Sequence, residues 1–87
     1  MKYFVYLIIN IKNGKSVSYV GYTNDIKKRL FLHNHSKGAK FTKGRKWTLI
    51  YKKCYKTKSL AMKNEYVLKN DKLKRKMIKD KFLNKNK

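Results

Sequence analysis

The chain has no proline, one cysteine and, among its 87 residues, only four acids: Asp25, Glu65, Asp71 and Asp80. Each shortage excludes something. A lone Cys54 allows no internal disulfide, and with only two histidines beside it the sequence does not support a structural zinc site. Its cysteine usage fits a reducing compartment, which we read as the cytoplasm. The longest apolar run, about seven residues from Tyr3, is well short of the ~20 that cross a membrane, and no small-residue cleavage site follows it. It reads as a core strand. Without repeats or linker-like stretches, a chain of this length is expected to form a single domain over 1–87 around one modest core.

Positive charge is what the chain has in excess. Twenty-five Lys and Arg give a formal net charge of +21 and a pI near 10.3. Part of this reflects a general enrichment in Lys and Asn, but self-repulsion on this scale is best tolerated beside a polyanion. Nucleic acid is the expected partner, DNA ahead of RNA. A hydrophobic content of 41%, including seven Tyr, four Phe and one Trp, is enough for a core and argues against a disordered basic tail.

Tyr3 to Ile11 and Ser16 to Tyr22 are rich in β-branched and aromatic residues and flank Asn13-Gly14, a favoured hairpin turn. Thr23-Asn24-Asp25 supplies helix-capping side chains, and helical spacing runs from Ile26 to His35, with Ile26, Leu30 and His33 on one face and Arg29 beside it. Ser36 to Lys46, with Gly38 and Gly44, reads as a basic surface loop. Trp47 to Tyr55 alternates as a third strand. Thr57 or Ser59 caps a second helix to about Asn70, with Leu60, Ala61, Val67 and Leu68 as its buried stripe and Glu65 at the edge. From 71 to 87, apolar Leu73, Met77, Ile78, Phe82 and Leu83 recur at helical spacing before a Lys- and Asn-rich end expected to fray. A basic membrane-surface helix has the same signature, but this apolar side is needed to complete a small core, so no membrane role is expected. The fold class is α/β of the α+β kind: a three-stranded antiparallel sheet flanked by about three helices, with its core over about 3–70.

VYL at Val5 to Leu7, YVG at Tyr19 to Gly21, an arginine on the next helix and a lone glutamate further on together resemble the GIY-YIG endonuclease family. The likeness extends through YVGYT, KKRLFLHN, GAKFT, WTLIYK and SLAMKNEYVLK. It is strongest to the small single-domain branch and to the nuclease domain of structure-specific junction and flap endonucleases. The first motif reads VYL rather than GIY but keeps its tyrosine as Tyr6. The resemblance implies a metal-dependent endonuclease acting on DNA, single-stranded or branched, with DNA repair, recombination and defence against incoming DNA all open as settings. The alternatives are a module of the same fold that binds DNA or structured RNA without cutting it, and a ribosome- or RNA-associated protein.

Phosphodiester hydrolysis needs an activated water, stabilisation of phosphoryl charge and help for the leaving oxygen. Glu65, the only glutamate, is a hard oxygen ligand suited to Mg²⁺, with Mn²⁺ as a substitute; taken alone it also suits a surface ion pair with Lys69. Arg29 can clamp the scissile phosphate, or be one more solvated cation. Tyr6 and Tyr19 are expected on adjacent strands with hydroxyls in one cleft, where a nearby cation lowers a phenol pKa enough for base work; otherwise they are core aromatics. The resemblance implies that one of them, Tyr19 by preference, is the general base. His33 bonds a phosphate oxygen or orients a tyrosine, or is a satisfied core histidine. Gly21 is structural support. Lys37, Lys40, Lys43, Arg45 and Lys46 form a phosphate-contacting loop; about five such contacts would give a log K against log salt slope of about −4 to −5 on duplex DNA. Phe41 could stack on unpaired bases, whereas Trp47 reads as core.

Overall fold

The chain, described here by a computed structural model over residues 2–85, builds a three-stranded antiparallel sheet with helices on both faces. Strands β1 (Tyr3–Lys12) and β2 (Lys15–Thr23) form the expected hairpin. Asn13 and Gly14 both take positive φ, 55° and 76°, the mirror-image turn that follows strand twist and that Asn-Gly adopts at least cost. Strand β3 (Thr48–Tyr55) pairs on the other side of β1, so the order is β2-β1-β3.

Alternation along β1 sends Val5, Leu7 and Ile9 to one face and Tyr6, Ile8 and Asn10 to the other. Helices α2 (Lys58–Asn70) and α3 (Lys72–Lys85) cover the first face, where Val5, Leu7, Val20, Ala61 and Leu68 form the buried cluster. On the second face Tyr6, Ile8 and Trp47 are buried against Ile26 and Leu30 of α1 (Ile26–Asn34). A bulge in β3 between the pairs Leu7–Tyr51 and Ile8–Leu49 adds Ile50 to the first face beside Tyr51.

The capping expectations resolve to single residues. Asp25 Oδ1 accepts from Lys28 N–H at 3.1 Å to start α1, and Thr57 Oγ1 accepts from Leu60 N–H at 3.1 Å to start α2. Between α1 and β3 the loop contains one short 3₁₀ turn, Lys40–Thr42. Asn34 ends α1 and reaches across to the third strand. Its Oδ1 accepts from Trp47 N–H at 2.6 Å and its Nδ2 donates to Trp47 C=O at 3.2 Å, so one side chain pins the entry of β3 to the exit of α1.

Two helical stripes differ from expectation. On α2 only Ala61 and Leu68 are buried, while Leu60 and Val67 are 45% and 54% exposed. A helix on a three-stranded sheet buries one narrow line of residues, and positions one step off that line lie about 100° round the helix. On α3, Leu73 and Met77 are exposed. The covered side carries Arg75, Ile78 and Phe82, with Arg75 Nε donating to Leu68 C=O at 3.2 Å. The helix runs through Asn84 to Lys85; the rest of the tail expected to fray, Asn86 and Lys87, lies outside the described residues.

Candidate active site

Strand pairing sets Tyr6 opposite Gly21 and Ile8 opposite Tyr19, so both tyrosines rise from the α1 face on neighbouring strands. Gly21 is what lets Tyr6 lie flat across β2. A Cβ at that position would sit inside the phenol, 2.5 Å from Cζ. Helix α1 then brings Arg29 and His33, one turn apart, against the pair.

Tyr6 donates its hydroxyl proton to His33 Nε2 at 2.7 Å, and His33 Nδ1 meets Thr42 Oγ1 at 2.9 Å. The direction of this chain is fixed at its far end. Thr42 Oγ1–H donates to Ala39 C=O at 2.7 Å, so its oxygen must accept from His33 Nδ1–H, and Nε2 must accept from Tyr6. His33 and Thr42 are fully buried. Burial, with Arg29 nearby, pulls the imidazole down to about 4, which keeps it neutral. Gly38 packs on the same ring; a Cβ there would come 2.5 Å from Nδ1.

Tyr6 departs from the sequence expectation of a lowered phenol. Its burial pushes it up to about 12, although Arg29 pulls the other way. Arg29 is itself raised, chiefly by its polar contact with the Tyr6 hydroxyl, against desolvation. Its Nε is buried without a hydrogen-bond partner among the described residues, an orphaned donor beside the two tyrosines.

Tyr6, Tyr19, Gly21, Arg29 and Glu65 line one open cleft of about 480 Å³. Glu65 reaches it from α2, 20% exposed, with Oε1 3.5 Å from Lys69 Nζ, so the surface ion pair expected as its alternative role also forms. Among the described residues no group of three His, Cys, Asp or Glu side chains gathers, and Glu65 is the one carboxylate lining the cleft. His33 lies behind Tyr6, bonded to it and to Thr42.

Sequence reasoning missed part of this arrangement. Thr42 stands in GAKFT, where the sequence gives roles to Lys40 and Phe41 but none to the threonine, and its hydroxyl fixes the tautomer of His33. Lys58 and Tyr22 also line the cleft. Of the five loop cations, Lys43, Arg45 and Lys46 gather at a second depression, about 540 Å³, while Lys37 and Lys40 are exposed and line neither. Phe41 is exposed and Trp47 buried. No described helix is long and apolar enough to cross a membrane.

A family model described as the GIY-YIG catalytic domain matches residues 2–78. The chain is 44% identical over 69 residues to the UPF0213 protein SSP2268 of Staphylococcus saprophyticus, spanning 78% of this chain and 80% of that protein. It is 53% identical over 49 residues to a UPF0213 protein of Bacillus pumilus, spanning 55% of this chain and 50% of that one. The solution NMR structure of the UPF0213 protein BH0048 from Bacillus halodurans is 34% identical, with a TM-score of 0.49, and the match covers 92% of this chain and 84% of that one.

Proposed function

Because the chain belongs to the GIY-YIG catalytic-domain family, we propose that it is a metal-dependent endonuclease that hydrolyses phosphodiester bonds in single-stranded or branched DNA. One observation carries the reading: Tyr6, Tyr19, Arg29 and Glu65, drawn from two strands and two helices, line a single open cleft. Their chemistry divides without overlap. The guanidinium of Arg29, which lines the cleft, supplies donors for the scissile phosphate and holds the charge that grows there. Tyr6, a proton donor to neutral His33, stays protonated and positions Arg29. Tyr19 is left to orient and deprotonate the attacking water.

The donor set fits a hard divalent cation. One carboxylate opening on a wet cleft suits Mg²⁺, which keeps several waters and takes its other ligands from substrate phosphates; Mn²⁺ suits the same donors. Glu65 would hold the ion, whose contribution when bound is to polarise the phosphoryl oxygens. The free, exposed Cys54 supports a reducing, cytoplasmic setting.

The 3.5 Å contact of Glu65 with Lys69 favours a second reading, a binding module in which this carboxylate serves only α2. The test is cleavage of end-labelled single-stranded, duplex, flap and four-way-junction DNA, with single-stranded RNA beside them, in Mg²⁺, Mn²⁺ or EDTA. Metal-dependent cutting that disappears in Glu65→Ala while binding persists supports the enzyme. Tight binding with no cutting in any metal establishes the binding module instead.

A further inference from the structure

The β3 side of the sheet stops short. Pairing between β1 and β3 ends at Ile9–Thr48, so Asn10 to Lys12 have no strand partner on that side, and the loop through Lys43 to Lys46 lies there instead. The depression between them is lined by Asn10, Ile11, Lys12, Lys43, Arg45 and Lys46. Four of these are cations and none is an acid.

This depression has a fixed framework. Asn10 is 8% exposed; its Nδ2 donates to Lys46 C=O at 2.9 Å and its Oδ1 accepts from Arg45 Nη1 at 3.5 Å. Arg45 is also held 5.7 Å over the Phe41 ring, and Phe41 in turn stacks on Tyr19 at 6.2 Å. A continuous line of side chains therefore leads from Tyr19 in the cleft, over exposed Phe41, to the guanidinium at the rim of the basin. Asn10 and Tyr6 share one face of β1 four residues apart, about 13 Å along a strand.

We propose that this basin is a second backbone-phosphate subsite, which grips the nucleic-acid strand while its scissile phosphate lies in the Tyr6–Arg29 cleft. The inference rests on the nuclease reading for its direction but not for its chemistry, since phosphate capture needs only the four cations. A span of ~13 Å is about four phosphates of a stacked strand at ~3.4 Å each. Phe41 lies between the two sites, where a base unstacked from its neighbour would pass.

The test uses the full chain carrying Glu65→Ala, so that cutting does not obscure binding, and fluorescein-labelled single strands of three to sixteen nucleotides titrated over a range of salt. Replacing Lys43, Arg45 and Lys46 with Gln together should lower the salt slope by about 2, at ~0.7 per lost contact on single strands. The loss should be confined to strands longer than about four nucleotides. A matched triple, Lys72, Lys76 and Lys79 to Gln on α3, controls for net charge. A Lys43/Lys46 double with Arg45 intact guards against loop damage and should lose about two-thirds as much slope. In the otherwise wild-type chain the basin triple should raise KM with kcat at saturation little changed. If the basin triple loses no more slope than the α3 triple, or loses it equally on the shortest strands, the subsite is wrong even where cutting is intact. If cutting is absent while the length-dependent loss is present, the nuclease reading fails and the subsite stands.

Discussion

Tyr6 and His33, 27 residues apart in sequence, share a buried hydrogen bond of 2.7 Å in which the phenol is the donor. This bond ties β1 to α1 and settles two proton positions together. His33 cannot take up a proton without losing Tyr6 as a donor, and Tyr6 cannot ionise without leaving Nε2 unpaired in the core.

The first consequence is a pH dependence of stability. In the unfolded chain His33 titrates near 6.5, whereas in the fold burial holds it at about 4. Between these values the unfolded state binds a proton that the native state refuses, so stability from this residue is full above about pH 6.5 and falls as pH drops toward 4. The gap corresponds to about 3 kcal/mol. Urea midpoints at pH 7.5, 5.5 and 4 should fall in that order. His33→Gln should be less stable at pH 7.5 but much flatter across the series, and an equally steep series in that variant would place the titration elsewhere.

Thr42 positions the ring from behind. Thr42→Val keeps the volume but leaves Nδ1–H buried without an acceptor, a loss of about 1–3 kcal/mol. Thr42→Ser restores the oxygen. We expect Val to lower both the urea midpoint and the cleavage rate, and Ser to recover most of each. Equal activity in Val and wild type would make the Thr42 contact a matter of packing alone.

Hairpin, capped helices and third strand were legible because each rests on local chemistry: Asn13-Gly14 turning, Asp25 and Thr57 capping, alternation in β1. The site was legible as a set of residue types in register. What escaped was set by distant partners. Nothing near Tyr6 in sequence says that its phenol will be buried under α1, so a lowered pKa was the natural expectation and burial reversed it. Thr42 and Asn34 act through bonds to residues brought together only by the loop between α1 and β3. Leu60, Val67, Leu73 and Met77 fit an apolar helical pattern wider than a three-stranded sheet can cover.

Gly21 should tolerate no side chain. Gly21→Ala drives a methyl into the Tyr6 phenol, and overpacking of this kind costs about 1–3 kcal/mol. Because the clash is with one ring, Gly21→Ala combined with Tyr6→Leu, which removes that ring, should cost less than the sum of the two single changes. Additive losses in thermal or urea denaturation would mean that the strand, not the ring, suffers.

The two tyrosines should separate kinetically. Tyr6 is pushed up to about 12 and its proton is committed to His33, so a base role at neutral pH would require breaking that bond. Among the described residues Tyr19 gives no hydroxyl bond to His33: its ring meets His33 edge-on at 5.2 Å and stacks on Phe41, and its polar contact is with Arg29. If Tyr19 handles the attacking water, Tyr19→Phe should lower the cleavage rate by about 10²–10⁴-fold with folding and DNA affinity retained. Tyr6→Phe should lose less activity and more stability, since it removes the donor to a buried imidazole and loosens Arg29. Single-turnover cleavage and urea denaturation of both variants decide the matter: a larger rate loss in Tyr6→Phe at unchanged stability would assign the water to Tyr6 and reduce Tyr19 to a wall of the cleft.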